Sequence, residues 1–181
     1  MNITRRVAIR NLLIVTAGAA ILPSCFQDGA SVKLKNIKIN RDQEDSVASL
    51  TDAIIPKTDT PGAVDIAAHL FVLKMVDDCY TKEEQVTFVK GLEEFNKLTK
   101  LKYESNFAEL NPVQKKELLT SLEKDEKLPE EIRSFYFSVK DLTILGFTTS
   151  QYYLTEVKKY NIIPGKYQGS VPVTNPISEK L

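Results

Sequence analysis

The spacing of apolar residues constrains this chain more than any other feature. Phe88, Leu92, Phe95 and Leu98 recur at intervals of three and four, as do Ile132, Phe135, Tyr136, Val139, Leu142 and Leu145. That period lays one stripe along an α-helix, whereas a half-buried strand alternates with period two. Shorter stripes stand at Val47, Leu50, Ala53 and Ile54, and at Leu118, Leu119 and Leu122. No alternating run of convincing length occurs. The pattern predicts an all-α protein, an irregular bundle of five or six helices.

Helix starts are marked locally. Asn40 with Gln43, and Thr81 with Glu84, form capping boxes in which a side-chain oxygen and a carboxylate or amide three residues on satisfy each other's backbone N–H groups. Asn111-Pro112-Val113-Gln114 places Asn at the cap, Pro in the first turn and Gln at the third position. Pro129 starts a fifth helix. Between Leu50 and Leu73 one helix ends at Pro56, which has no N–H to donate, and Pro61-Gly62 makes a turn. Apolar spacing resumes at Ile66, Ala67, Leu70 and Leu73, predicting a second helix from about Ala63 to Asp78. Two prolines stiffen this loop, which reads either as a plain connection or as a presented surface. Glu123 to Lys127 reads as a charged loop, and Gly146 to Ser150 as an interruption of the fifth helix before a short helix capped by Ser150.

The two ends differ from the middle. Thr4-Arg5-Arg6 opens a basic region, and Leu12 to Leu22 is an apolar run too short for a comfortable membrane span. Arg5 and Arg6 resemble a twin-arginine export signal, with Ala8 a departure from it, and general export is the other route. Leu22-Pro23-Ser24-Cys25 resembles a bacterial lipoprotein cleavage site, which would make Cys25 the lipidated first residue. The chain then divides into a signal peptide (1–24), a tether (25–40) carrying Lys33, Lys35 and Lys38, a helical domain (41–160) and an extended tail (161–181). The tail holds Pro164, Gly165, Tyr167, Gly169 and Pro172, buries little by itself and would gain by lying on another surface. The expected location is the periplasmic side of the cell envelope, attached to a membrane by lipid.

Chemistry is sparse. Lys and Arg number 24 and so do Asp and Glu, a balance that argues against nucleic acid as a partner. The single histidine, His69, lies mid-helix beside Ala67, Ala68 and Leu70, and is expected to be structural or interfacial rather than a catalytic base. Asp65 and His69 sit four apart and offer two metal ligands, but nothing supplies a third and fourth. No Gly-x-Gly-x-x-Gly loop and no Cys-x-x-Cys-His attachment occurs, so neither catalytic residues nor a cofactor are expected in this chain. Cys79 is the odd thiol once Cys25 is lipidated. It either forms an intersubunit disulfide or stays free and buried on an apolar helix face. Asp77-Asp78 is an anomaly, because negative charge is unfavourable at a helix C-terminus; Lys74 or a partner could relieve it.

The order Leu50-Thr-Asp-Ala-Ile-Ile-Pro56, then Thr60-Pro61-Gly62-Ala63 with Asp65 following, resembles the gluconate 2-dehydrogenase subunit 3 family. Asn111-Pro112-x-Gln114, then Gly146-Phe147-Thr148, then Pro164-Gly165-x-Tyr167-x-Gly169-x-Val171-Pro172 extend the similarity over residues 42–173. The resemblance implies a small exported accessory subunit. Its partner would be an FAD-dependent gluconate or other sugar dehydrogenase, with a c-type cytochrome as a further possible partner and FAD held by the partner alone. It places the partner-binding surfaces at Pro56, Thr60, Pro61 and Gly62, at Gly146 and Phe147, and at the tail residues. The competing reading is a stand-alone envelope lipoprotein binding carbohydrate or peptide, with Tyr152, Tyr153, Tyr160 and Tyr167 as a stacking platform.

Overall fold

Each of the three predicted caps closes. In the computed structural model, which describes residues 32–124, 128–161, 165 and 170, Asn40 Oδ1 accepts from Gln43 N at 2.9 Å and Gln43 Oε1 accepts from Asn40 N at 2.9 Å. They start α1 (Arg41–Ile54). Thr81 and Glu84 do the same for α3 (Lys82–Tyr103), which follows α2 (Ala68–Cys79). Asn111 and Gln114 start α4 (Pro112–Lys124), and α5 runs Glu130–Thr148. Among the described residues there is no strand, and the fold is the all-α bundle that the apolar spacing predicts.

Helix α5 is the centre of the bundle. It packs along α3 and α2 and also meets α1 and α4. Phe135 sits edge-on to Phe88 of α3, with ring centroids 5.1 Å apart, and tilts against Phe95 at 5.6 Å. Gly91 permits this closeness: a Cβ there would run into the Glu131 carbonyl oxygen and stand 2.6 Å from Phe135 Cβ. Val47, Leu50, Val72, Leu73, Val76, Leu118, Leu122 and Ile132 complete the core. The connector after α3 contributes more than a link, because a 3-10 turn (Phe107–Glu109) drives Phe107 against Phe95 at 5.2 Å.

Four expectations change. The second helix starts at Ala68, not near Ala63, because residues 63–67 form a turn that ends with Ala67 in the left-handed region at φ 56°. The fifth helix is not interrupted at Gly146; it continues to Thr148, with Gly146 buried against the Phe71 ring of α2. Glu123 and Lys124 belong to α4 rather than to a loop. The short helix after Ser150 is a single π-helical turn (Tyr153–Val157), entered where Ser150 Oγ accepts from Tyr153 N at 3.2 Å.

Residues 32–39 lie against the helices, with bends at Val32, Lys35 and Asn36. Ile37 is a core residue, while Val32, Leu34 and Ile39 pack on the core's edge. The anomalous Asp77 explains how they are held. Its side chain is buried, with Oδ2 accepting from Lys35 N at 2.8 Å and Oδ1 from Asn36 N at 2.7 Å and Ile37 N at 2.9 Å. Asn36 Nδ2 returns a bond to the Asp77 carbonyl at 2.7 Å. The partner of this carboxylate is therefore the chain's own backbone, while Lys74 pairs with Asp78 at 3.3 Å. Gln85 Nε2 lies within hydrogen-bond distance of the carbonyls of Val76, Asp77 and Tyr80, so two of the last four acceptors of α2 are met without a glycine cap.

Candidate partner-binding surface

The loop between α1 and α2 is built to hold one shape. Ala63 N donates to the Ile55 carbonyl at 2.9 Å, closing residues 55–63 into a ring, and Thr58 N donates to the Thr60 carbonyl at 3.1 Å inside it. Asp65 clasps the ring: Oδ2 accepts from Gly62 N at 2.9 Å and Oδ1 pairs with Lys57 Nζ at 3.1 Å. The Gly62 N–H first, then Lys57, hold the Asp65 carboxyl below its ordinary value. Asp65 is thus a loop clasp rather than half of a metal pair. Pro56, Thr58, Asp59 and Thr60 are left exposed, Pro61 is half-buried and Gly62 is buried.

Gly62 is required for room, not for backbone conformation, since no described glycine has a positive φ. A Cβ there would stand 2.6 Å from Lys57 N and 2.9 Å from the Pro56 carbonyl carbon. Both are backbone atoms that cannot rotate aside. Gly62→Ala is expected to cost about 2 kcal/mol of stability and to move the amide signals of Lys57 and Asp65. Equal stability with unmoved signals would refute the close-approach account.

The second predicted patch lies at the end of α5. Gly146 rests on Phe71, its absent Cβ 2.7 Å from Phe71 Cδ1, and Phe147 faces Tyr152 and Tyr153 edge-on at 6.5 and 6.1 Å. The loop and this patch are tied to the same helix: Ala67 ends the loop's turn, and Phe71, whose N–H donates to the Ala67 carbonyl at 3.3 Å, receives Gly146. Gly165 is exposed, and a Cβ there would meet no described residue within 4 Å. Arg5, Arg6, Cys25, Pro164, Tyr167, Gly169 and Pro172 lie outside the described residues.

A cleft that sequence reading missed adjoins the loop. Pro56 and Ile54 form one wall, Lys115, Lys116 and Leu119 of α4 a second, and Tyr136 and Lys140 of α5 a third, around a volume of about 550 Å³. Within it Glu123 accepts from Lys140 and from the Tyr136 hydroxyl, the latter at 2.8 Å. Lys140 first, then Tyr136, hold the Glu123 carboxyl down, and burial together with Glu123 pushes the Tyr136 hydroxyl up. At neutral pH Glu123 is therefore a carboxylate and Tyr136 keeps its proton. The signal in the sequence was the Lys115-Lys116 pair just inside the α4 start, which reads as an ordinary solvated face until α5 is placed beside it.

The remaining candidates sort plainly. His69 is half-buried; burial lowers its basicity against the opposing pull of Glu44 and Asp45, and its Nδ1 is buried without a hydrogen-bond partner. Cys79 is exposed, with Sγ 4.0 Å from Met75 Sδ, so the expectation of a buried thiol is overturned. The reason is its place in the last turn of α2, where the chain leaves the core. Among the described residues no three His, Cys, Asp or Glu side chains are placed to hold a metal ion, and no helix is long and apolar enough to cross a membrane.

The family model for gluconate 2-dehydrogenase subunit 3 matches residues 41–165, from the first residue of α1 into the tail. Neither the curated proteins nor the solved structures gave a match. The matched stretch takes in the clasped loop, the cleft and the Gly146 patch, and exceeds half the chain. By that match the chain belongs to the gluconate 2-dehydrogenase subunit 3 family.

Proposed function

We propose that this protein is the non-catalytic accessory subunit of an exported dehydrogenase complex, whose FAD-bearing subunit oxidises gluconate or another sugar. The family match over residues 41–165 carries this reading. The loop geometry supports it: the ring's inward bonds are closed internally, and what it turns outward is a fixed edge of Pro56, Thr58, Asp59 and Thr60. A pre-shaped edge loses little entropy on docking. The role in assembly is structural, the small subunit supporting maturation and export of the flavoprotein and holding it near a membrane through a lipid on Cys25. A c-type cytochrome takes the electrons onward.

Tagged mature protein drawn from its own host in mild detergent is expected to bring a larger, flavin-absorbing polypeptide with it. Deleting residues 162–173 is expected to leave a folded protein without that companion. A colourless single band from the intact protein would sink this reading and leave the stand-alone lipoprotein. The platform which that alternative needs is partly taken up already, since Tyr152 and Tyr153 are half-buried and packed on Phe147.

A further inference from the structure

We infer that the flavin-bearing subunit seats on the outward face of α5, along Phe137, Ile144 and Leu145, and offers a basic side chain to Asp141. The inference rests on the accessory-subunit reading and names the face by which that subunit is held.

Helix α5 is apolar on two sides. Phe135, Val139 and Leu142 are buried in the core, whereas Phe137, Ile144 and Leu145 are 37, 43 and 44 % exposed. At about 100° per residue, positions 137, 141, 144, 145 and 148 fall on one outward stripe, roughly 16 Å long. Leu145 keeps the spacing of the buried set but stands on the shoulder between the two faces. Among the described residues nine large apolar side chains are exposed, and five of them belong to α5 or to the turn and residues just after it (Val157 and Tyr160), so the surplus is not scattered. Single exposed apolar residues are ordinary, but a gathered set marks a surface that another molecule covers. At one end of the stripe Phe137 shares a hollow of about 390 Å³ with Tyr80 and Ser134. The other end runs into Phe147 and its two tyrosines.

Asp141 narrows the choice of occupant. It is exposed in the middle of the stripe and has no ion pair among the described residues. Lys140 beside it is turned to Glu123, and Lys74 of α2 is paired with Asp78. Arg133 lies two turns away, at the end of the stripe that also holds Glu130. A second copy seated here about a two-fold axis would set Asp141 against Asp141, and like charges facing each other in an apolar contact are costly. An anionic lipid surface would meet the same repulsion. A different protein with an apolar patch and one Lys or Arg fits. The family match takes in the whole stripe and supplies a dehydrogenase subunit as that protein. The π-helical turn packs on the end of α5, and the tail proposed for the flavoprotein follows directly, so a partner that takes the tail stands beside Leu145.

The test uses the flavin-bearing subunit recovered from the intact complex and identified by its bound FAD. Its binding is measured to the mature protein and to variants checked for unfolding temperature. I144D/L145D is expected to bind about thirtyfold more weakly or worse, as for a central interface contact. D141K, which alters one exposed charge and leaves the apolar residues in place, should lose about tenfold or more. L101D/V113D changes two apolar residues that are 84 and 76 % exposed elsewhere, and should bind like the unsubstituted protein. Unchanged binding by both stripe variants would overturn the inference and leave the accessory reading standing. A dimer of the protein alone that I144D/L145D dissolves, with flavoprotein binding retained, would give the stripe to a second copy and also overturn it. No flavoprotein with the unsubstituted protein would overturn the accessory reading itself.

Discussion

Replacing Asp77 with Ala is expected to lower the unfolding free energy by about 3 kcal/mol, because buried donors left without a partner cost about 1–3 kcal/mol. The carboxylate receives the N–H groups of Lys35, Asn36 and Ile37, and its residue is fully buried. No neighbouring acceptor replaces it: the Asp77 carbonyl already takes Asn36 Nδ2 and Gln85 Nε2. Hydrogen exchange at those three amides should accelerate far more than exchange in α5. Asp77→Asn retains one acceptor oxygen and should fall between the two. A loss below 1 kcal/mol for the alanine variant would mean that Ile37 burial alone holds the segment.

The same carboxylate sets a pH dependence. Burial pushes the Asp77 carboxyl up, but the backbone N–H groups of Lys35, Ile37 and Asn36, with Lys74 assisting, outweigh it and hold it below its ordinary value. A carboxyl depressed in the folded state binds its proton more readily in the unfolded one. Its contribution is therefore fully present above the unfolded value of about 4 and is lost as pH falls through the depressed folded value. The stability gap between the native protein and Asp77→Ala should be wide at neutral pH and narrow in acid. A gap that widens in acid would contradict the sign.

Asp77 also shows where the sequence was legible and where it was not. The three caps could be read because each is an interaction between residues three apart, and no tertiary contact changes such a choice. The period of the apolar stripes could be read for the same reason. Asp77 was visible only as a misfit, an acid at a helix end, because its partners are forty and more residues away. The α2 start was misplaced since Ile66 and Ala67 keep the helical spacing while Asp65 spends its carboxylate on Gly62 N and Ala67 turns left-handed. Gly146 read as a break because glycine weakens an isolated helix, and its reason, the Phe71 ring, belongs to another helix. In the loop the turn at Pro61-Gly62 was legible, but the Asp65 clasp was not, because it closes on the Gly62 N–H and on Lys57 across the ring. The cleft was invisible, since it needs α1, α4 and α5 side by side.

Gly91→Ala should destabilise the protein by about 2–3 kcal/mol, although in an open helix the same change stabilises by up to about 1 kcal/mol. The reversed sign is the test. A methyl group at 91 meets the Glu131 carbonyl oxygen, which the α5 backbone fixes in place, and Phe135 Cβ at 2.6 Å. Neither has a rotamer to retreat into, so α3 and α5 must part. Parting them loosens Phe135 from Phe88 and Phe95, the aromatic centre of the core. The neighbouring Lys90–Glu131 pair is exposed and contributes too little to resist. Because α5 carries Tyr136 and Lys140 on the cleft and Gly146 on Phe71, its displacement also moves the cleft and the Gly146 patch, the second of which is a proposed partner surface. The variant should therefore lose flavoprotein capture at temperatures where it remains folded. Higher stability in urea unfolding would show that α3 and α5 stand further apart than Gly91 implies, and the shared support of core and surface by α5 would fall with it.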